Sequence, residues 1–239
     1  MASFLTIVKI PFLLIDILWM WITASPPNPP PPAKEQVVSD WKERFLRSLT
    51  IPCIWLRTTY YLSGLIEILV ILCDWQSGPG ATQSILRQLS FNSTIPKISM
   101  LPSFVLGNLF TCVGALLRVQ CYRSLGKHFT FELSISKSHI LIVTGPYAVV
   151  RHPSYTGMIL TIVGACLNRL GGSWVSESGL WQVPMGQAIL IIWITISLAV
   201  IASLLLRMPQ EDEILSQRFG DEWVAWSKRV PYRLVPWVY

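Results

Sequence analysis

Charged side chains are scarce in this sequence. Asp, Glu, Lys and Arg make up 13% of its 239 residues, against about 25% in an ordinary soluble domain. Phosphate-cradling and nucleophile signatures are absent too: there is no G-x-G-x-x-G after a strand pattern, no G-x-x-x-x-G-K-[ST] and no G-x-S-x-G. Dinucleotide, P-loop and hydrolase readings therefore lack their carrying residues. Only three histidines occur, with no i, i+4 pair and no H-E-x-x-H, so no metal site is expected. The five cysteines (Cys53, Cys73, Cys112, Cys121, Cys166) include no C-x-x-C pair and read as small buried hydrophobes rather than a disulfide or zinc framework. What fills the chain instead is apolar: 52% hydrophobic residues, 11 Trp and 17 Pro, with a mean hydropathy of +0.49. That excludes a disordered or collagen-like chain and an ordinary cytosolic enzyme. It points to an all-α, polytopic membrane protein.

A bilayer core about 30 Å thick takes about 20 apolar residues to cross as a helix. Four segments qualify: 4–22, 51–73, 100–119 and 185–206. A fifth, 155–167, is apolar but short, and is read as one arm of a helical hairpin whose return arm is 185–206. The expectation is about five transmembrane helices. Basic residues cluster in 24–49 (Lys34, Lys42, Arg44, Arg47), 118–151 (Arg118, Arg123, Lys127, Lys137, Arg151) and 207–239 (Arg207, Arg218, Lys228, Arg229, Arg233). The loops 74–99 and 168–184 hold only Arg87, Lys97 and Arg169. Five spans put the three basic segments on one face, which the positive-inside rule makes cytosolic, with the N-terminus lumenal. Residues 1–24 also admit a signal-peptide reading, but the only Lys lies inside the apolar run, and cleavage would put the basic 34–47 segment in the lumen. Ser25 to Pro32 forms a stiff polyproline spacer. Asn92-Ser93-Thr94 is a glycosylation sequon close to the next span. The chain divides into an N-terminal transmembrane region, 1–99, and a C-terminal core, 100–239.

Polar residues are costly near lipid, so dense polar clusters there call for a function. Before the hairpin stand Leu125 to Thr130, His139 to Tyr147 (HILIVTGPY) and Arg151 to Gly157 (RHPSYTG). After it come Arg207 to Glu213, Phe219 to Trp223 and Arg229 to Pro231. A hairpin brings its outer ends together, so His139, Tyr147, Arg151, His152 and Tyr155 should meet Arg207, Glu211 and Asp212 on the cytosolic face. Plainer roles compete: Arg151 as a positive-inside anchor, Arg207 as the charge that ends a span, and 211–213 as an exposed acidic helix face. The basic stretches lack a nucleic-acid motif, and membrane-surface charge accounts for them.

The order L-G-x-x-F-T, H-x-L-x-x-x-G-x-Y, R-H-P-S-Y-x-G, a long apolar span, R-x-x-x-E-[ED], F-G-x-E-[YW] and R-V-P resembles the isoprenylcysteine carboxyl methyltransferases, over about 115–239. The resemblance implies a membrane enzyme of the endoplasmic reticulum, its active site facing the cytosol. Such an enzyme uses S-adenosylmethionine to methylate the carboxylate of a C-terminal prenylated cysteine. It implies cofactor contacts at His139, Ile140, Leu141, Ile142, Tyr147, His152, Pro153, Ser154, Tyr155 and Glu211, with Arg207 and Glu211 as catalytic residues and Arg207 on the substrate. Glu132 stands where relatives often carry Gln and joins the cofactor set. Pro209, between Arg207 and Glu211, departs from the family pattern. Another lipid acceptor is the alternative within the enzyme class. The C-terminal half also resembles sterol double-bond reductases, in R-H-P and the tail around 230–236, and a non-catalytic holder of prenylated partners is a fourth reading.

Overall fold

The computed structural model describes residues 4–30, 41–76, 81–92, 94–131 and 140–238. Glu132 and His139, the linker end at 31–32, and Ser93 of the sequon lie outside the described residues. Within them the chain is helical: α1 (Phe4–Ala24), α2 (Trp41–Ser48), α3 (Thr50–Gln76), α4 (Ala81–Gln88), α5 (Pro102–Leu125), α6 (Pro153–Leu170), α7 (Trp174–Glu177), α8 (Pro184–Phe219) and α9 (Asp221–Arg229). Proline opens α5, α6 and α8. It suits the first helical position, where its missing N–H has no intrahelical partner to lose. Gly126 and Gly220 end α5 and α8 at φ +52° and +51°, a conformation that costs glycine little.

Among the described residues, four helices, α1, α3, α5 and α8, are long and apolar enough to cross a membrane. The fifth segment does form a helix, α6. Its 18 residues span about 27 Å at 1.5 Å per residue. Thr161, Gly164, Ala165 and Asn168 of α6 are buried against neighbouring helices. α8 has 36 residues and measures about 54 Å, nearly twice a bilayer core, so its apolar part, 185–206, is followed by more than three turns of polar helix. Pro209 lies inside α8 without ending it.

The helices run alternately up and down. At one end Tyr122 of α5 donates to the Ile22 and Thr23 carbonyls of α1. At the other, Lys9 Nζ of α1 donates to Ser99 O and Gly172 O, at 3.0 and 2.8 Å. The expected partnership of α6 differs from the one found. Its close partner is α5 rather than α8, because glycines on both helices let the backbones meet. A Cβ on Gly107 would lie 2.7 Å from Gly164 O, and one on Gly114 would lie 2.5 Å from Gly157 O. Periodicity within one segment does not reveal a glycine register shared between two, whereas the polar stretches on either side of 155–167 pointed to 185–206 as the return arm.

Lys9, Glu67 and Arg169 form a charge cluster inside the bundle. Glu67 of α3 lies 2.7 Å from Lys9 and 3.1 Å from Arg169, and it accepts from Trp174 N. Tyr60 donates to Asp16, and the Arg169 guanidinium stands 4.5 Å from the Tyr60 ring centroid. Lys9, Asp16 and Glu67 are fully buried. Isolated charges in such surroundings would be very costly, so pairing is what makes the arrangement tenable. This cluster ties α1, α3 and α6 together near the end of the bundle opposite the motif residues.

Candidate active site

The ends of α6 and α8 meet where the polar motifs stand. α6 starts at Pro153, so His152 is its N-cap residue and Tyr155 lies in its first turn. The His152 and Tyr155 rings stack, with centroids 5.4 Å apart and planes 16° from parallel. Across from them, Glu211 and Asp212 project from the polar extension of α8. Tyr155 Oη donates to Glu211 Oε2 at 2.5 Å, and His152 Nδ1 lies 3.8 Å from the same oxygen. His152 Nε2 is 3.1 Å from Asp212 Oδ1. Asp212 Oδ2 accepts from Arg151 Nη1 at 3.0 Å and from Arg233 Nε at 3.2 Å.

The C-terminal tail closes this corner. Arg151 N and His152 N donate to the Tyr232 and Arg233 carbonyls, both at 2.9 Å. Thr156 Oγ1 donates to Leu234 O, and Arg151 Nη2 to Pro231 O. Three segments, the start of α6, the polar part of α8 and the C-terminal tail, thus converge on one surface, as the polar clusters on either side of 155–206 led us to expect.

Arg207 lies one helical turn before Glu211, on the same face of α8. It is 6% exposed and its Nη1 donates to Phe131 O at 2.7 Å. Tyr147 is buried with Cys121, Phe129, Trp226 and Val230, and Leu141 and Ile142 pack on that cluster. Trp226 Nε1 donates to the Tyr147 carbonyl. Burial pushes the Tyr147 phenol well above its ordinary pKa, so it remains a neutral hydroxyl. Ile140 is exposed and Pro153 buried. Ser154 faces α5, where Arg118 Nη1 donates to both its Oγ and its carbonyl, at 3.0 and 3.2 Å.

Two features escaped sequence reasoning. Asp212 was expected to face this cluster, but its part in it was not: it gathers three donors from two segments, Arg151 and His152 ahead of α6 and Arg233 of the tail. Arg118 read as a cytosolic-face charge, but it is 3% exposed, bonded to Tyr122 Oη, and lies 5.3–5.8 Å from the ring centroids of Tyr122, Phe129 and Phe131. Its signal was a charge falling at the end of an apolar run, four residues before a tyrosine that shares its helix face.

This geometry stands beside a match to known proteins. Residues 106–172 match the isoprenylcysteine carboxyl methyltransferase family. The resemblance read from the motifs is thereby borne out over α5, α6 and the segment between them, which carries Tyr147, His152 and Tyr155. The match stops before Arg207 and Glu211. A protein-S-isoprenylcysteine O-methyltransferase of Schizosaccharomyces pombe is 29% identical over 176 residues, 72% of this chain and 65% of the relative. Protein-S-isoprenylcysteine O-methyltransferase B of Arabidopsis thaliana is 29% identical over 121 residues, 50% of this chain and 52% of its own. A Delta(14)-sterol reductase of Mus musculus is also 29% identical, over 99 residues, but this stretch is 20% of that longer protein. The chain thus spans about two thirds of the yeast family member and about half of the plant one.

Proposed function

We propose that this protein transfers a methyl group from S-adenosylmethionine to the carboxylate of a C-terminal prenylated cysteine, at the cytosolic face of the endoplasmic reticulum membrane. The observation that carries the reading is the meeting of Glu211, Tyr155 and His152 one helical turn from the buried Arg207. The family match and the curated relatives support the same chemistry.

The donor set suits this cofactor. Glu211 accepts, Tyr155 donates and the His152 ring offers a second nitrogen, which together match an ammonium group and ribose hydroxyls. Bound there, S-adenosylmethionine supplies an electrophilic methyl group on a sulfonium. The acceptor carboxylate is already ionised at neutral pH, so no side chain has to act as a general base. The protein's contribution is positioning and exclusion of water. Arg207, on a rigid helix with its charge already removed from water, holds the acceptor carboxylate through a two-pronged guanidinium contact. The prenyl chain stays in lipid and reaches the site between helices, each buried CH₂ contributing about 0.8 kcal/mol.

Calorimetric titration of the detergent-purified protein with S-adenosylhomocysteine, with NADPH in parallel, tests the class. Micromolar binding of the former, lost in Glu211→Ala, is expected. The sterol-reductase similarity makes NADPH the informative competitor, and binding of NADPH alone would replace the methyltransferase reading with a reductase one. Within the methyltransferase class, Arg207→Ala separates acceptors: a carboxylate acceptor loses its cation, whereas an amine acceptor such as a phospholipid headgroup loses little.

A further inference from the structure

Asp212 is largely shielded by its neighbours; its side chain is 8% exposed. Both its oxygens are engaged, and by different kinds of donor. Oδ2 takes the guanidinium groups of Arg151 and Arg233, at 3.0 and 3.2 Å. Oδ1 faces the His152 Nε2 at 3.1 Å. An ionised carboxylate only accepts hydrogen bonds, so the His152 Nε2 must carry a proton. In a neutral ring the other nitrogen, Nδ1, is then a bare acceptor. It lies on the side of Glu211 Oε2, 3.8 Å away, beside the stacked Tyr155 ring.

We propose that Asp212 is a positioning residue that fixes His152 as the Nε2–H tautomer, so that Nδ1 is presented as a hydrogen-bond acceptor to a donor group of the cofactor, a ribose hydroxyl or the ammonium. The proposal rests on the methyltransferase reading for the identity of the ligand, but not for the tautomer. Arg151 and Arg233 are part of the device. They come from the residue before His152 and from the tail, and they demand an oxygen at the Oδ2 position. Asp212→Asn therefore has a defined outcome. The carboxamide oxygen turns to the two guanidinium groups, and its NH₂ turns to His152. Nε2 must now accept, and the proton moves to Nδ1. A near-isosteric substitution inverts the ring's polarity toward the ligand without removing bulk.

The test combines two readouts on the full-length protein. With three histidines in the chain, ¹⁵N-histidine labelling and a His152→Gln spectrum assign the ring. At pH 8.5 the wild-type His152 is expected to be protonated at Nε2 alone, and in Asp212→Asn at Nδ1. A proton at Nδ1 in the wild type overturns the proposal without recourse to any variant, so a failure of Asp212→Asn to fold does not shelter it. Titration with S-adenosylhomocysteine supplies the second readout. Asp212→Asn is expected to weaken binding at least about tenfold, as is His152→Gln, while the double variant binds within about threefold of His152→Gln alone. Losses that multiply would mean that Asp212 acts by some route other than His152 and would overturn the proposal. Absence of binding to the wild type would instead refute the methyltransferase reading, with the spectrum still deciding the tautomer.

Discussion

Gly114→Ala links the packing of α5 and α6 to the site most directly. The added Cβ would lie 2.5 Å from Gly157 O, 2.6 Å from Thr161 Oγ1 and 2.9 Å from Thr161 N. Two of these three atoms are backbone, so a rotamer change cannot relieve the contact. The helices must separate by several tenths of an ångström, and overpacking of this kind costs about 1–3 kcal/mol. The displacement reaches the chemistry because Gly157 lies only five residues after His152. A shift approaching 1 Å between His152 and the Glu211–Asp212 pair is enough to cost about 100-fold in a positioned reaction. The expected result is a lower unfolding temperature in detergent, together with a fall in methyl-transfer kcat/KM of about 10- to 100-fold. Gly126→Ala is the control. A Cβ there meets nothing within 4 Å, and the cost, about 1–3 kcal/mol, comes from backbone strain at φ +52° alone, so this variant lowers the unfolding temperature while leaving activity near the wild-type value. Wild-type unfolding temperature and activity in Gly114→Ala would refute the claim that glycine-mediated contact sets the site geometry.

Arg207→Lys keeps the charge but loses the planar fork. Losing one charge-assisted hydrogen bond of about 1.5–3 kcal/mol lowers kcat/KM for the prenylcysteine acceptor about 10- to 100-fold, with S-adenosylhomocysteine affinity nearly unchanged; steady-state kinetics and calorimetry together check both halves. In the buried charge cluster, Glu67→Gln leaves Lys9 and Arg169 without their shared carboxylate and destabilises by about 3–5 kcal/mol. Lys9→Met leaves the Glu67–Arg169 pair in place and should cost clearly less. Equal losses in thermal unfolding would contradict the central role assigned to Glu67.

Much of the site was legible because hydrophobic runs and polar interruptions are local signals. The apolar lengths located α1, α3, α5 and α8, and the hairpin reading of 155–167 with 185–206 placed residues 151–155 beside 207–212, although α6 packs mainly on α5. Tyr155 on Glu211 and His152 near it follow from that reasoning. What stayed hidden depends on pairs of segments. The glycine register of α5 on α6 needs both helices and their crossing. The partners of Lys9 and Asp16, single charges in an apolar run, lie more than forty residues away on α3 and about a hundred further on α6. Asp212 was expected at the site beside Glu211, but a run of acids does not show which one gathers Arg151, His152 and Arg233. Arg118 shows the same limit: a charge at the end of a span reads as solvent-facing until its aromatic surroundings are seen.

The central claim is tested most directly by incubating the purified protein, in vesicles, with methyl-labelled S-adenosylmethionine and a farnesylated cysteine whose carboxylate is free. The account predicts label in a base-labile methyl ester, absent when the carboxylate is blocked as an amide and strongly reduced in Arg207→Ala. Label appearing only in base-stable lipid products, or unchanged label in Arg207→Ala, would contradict it.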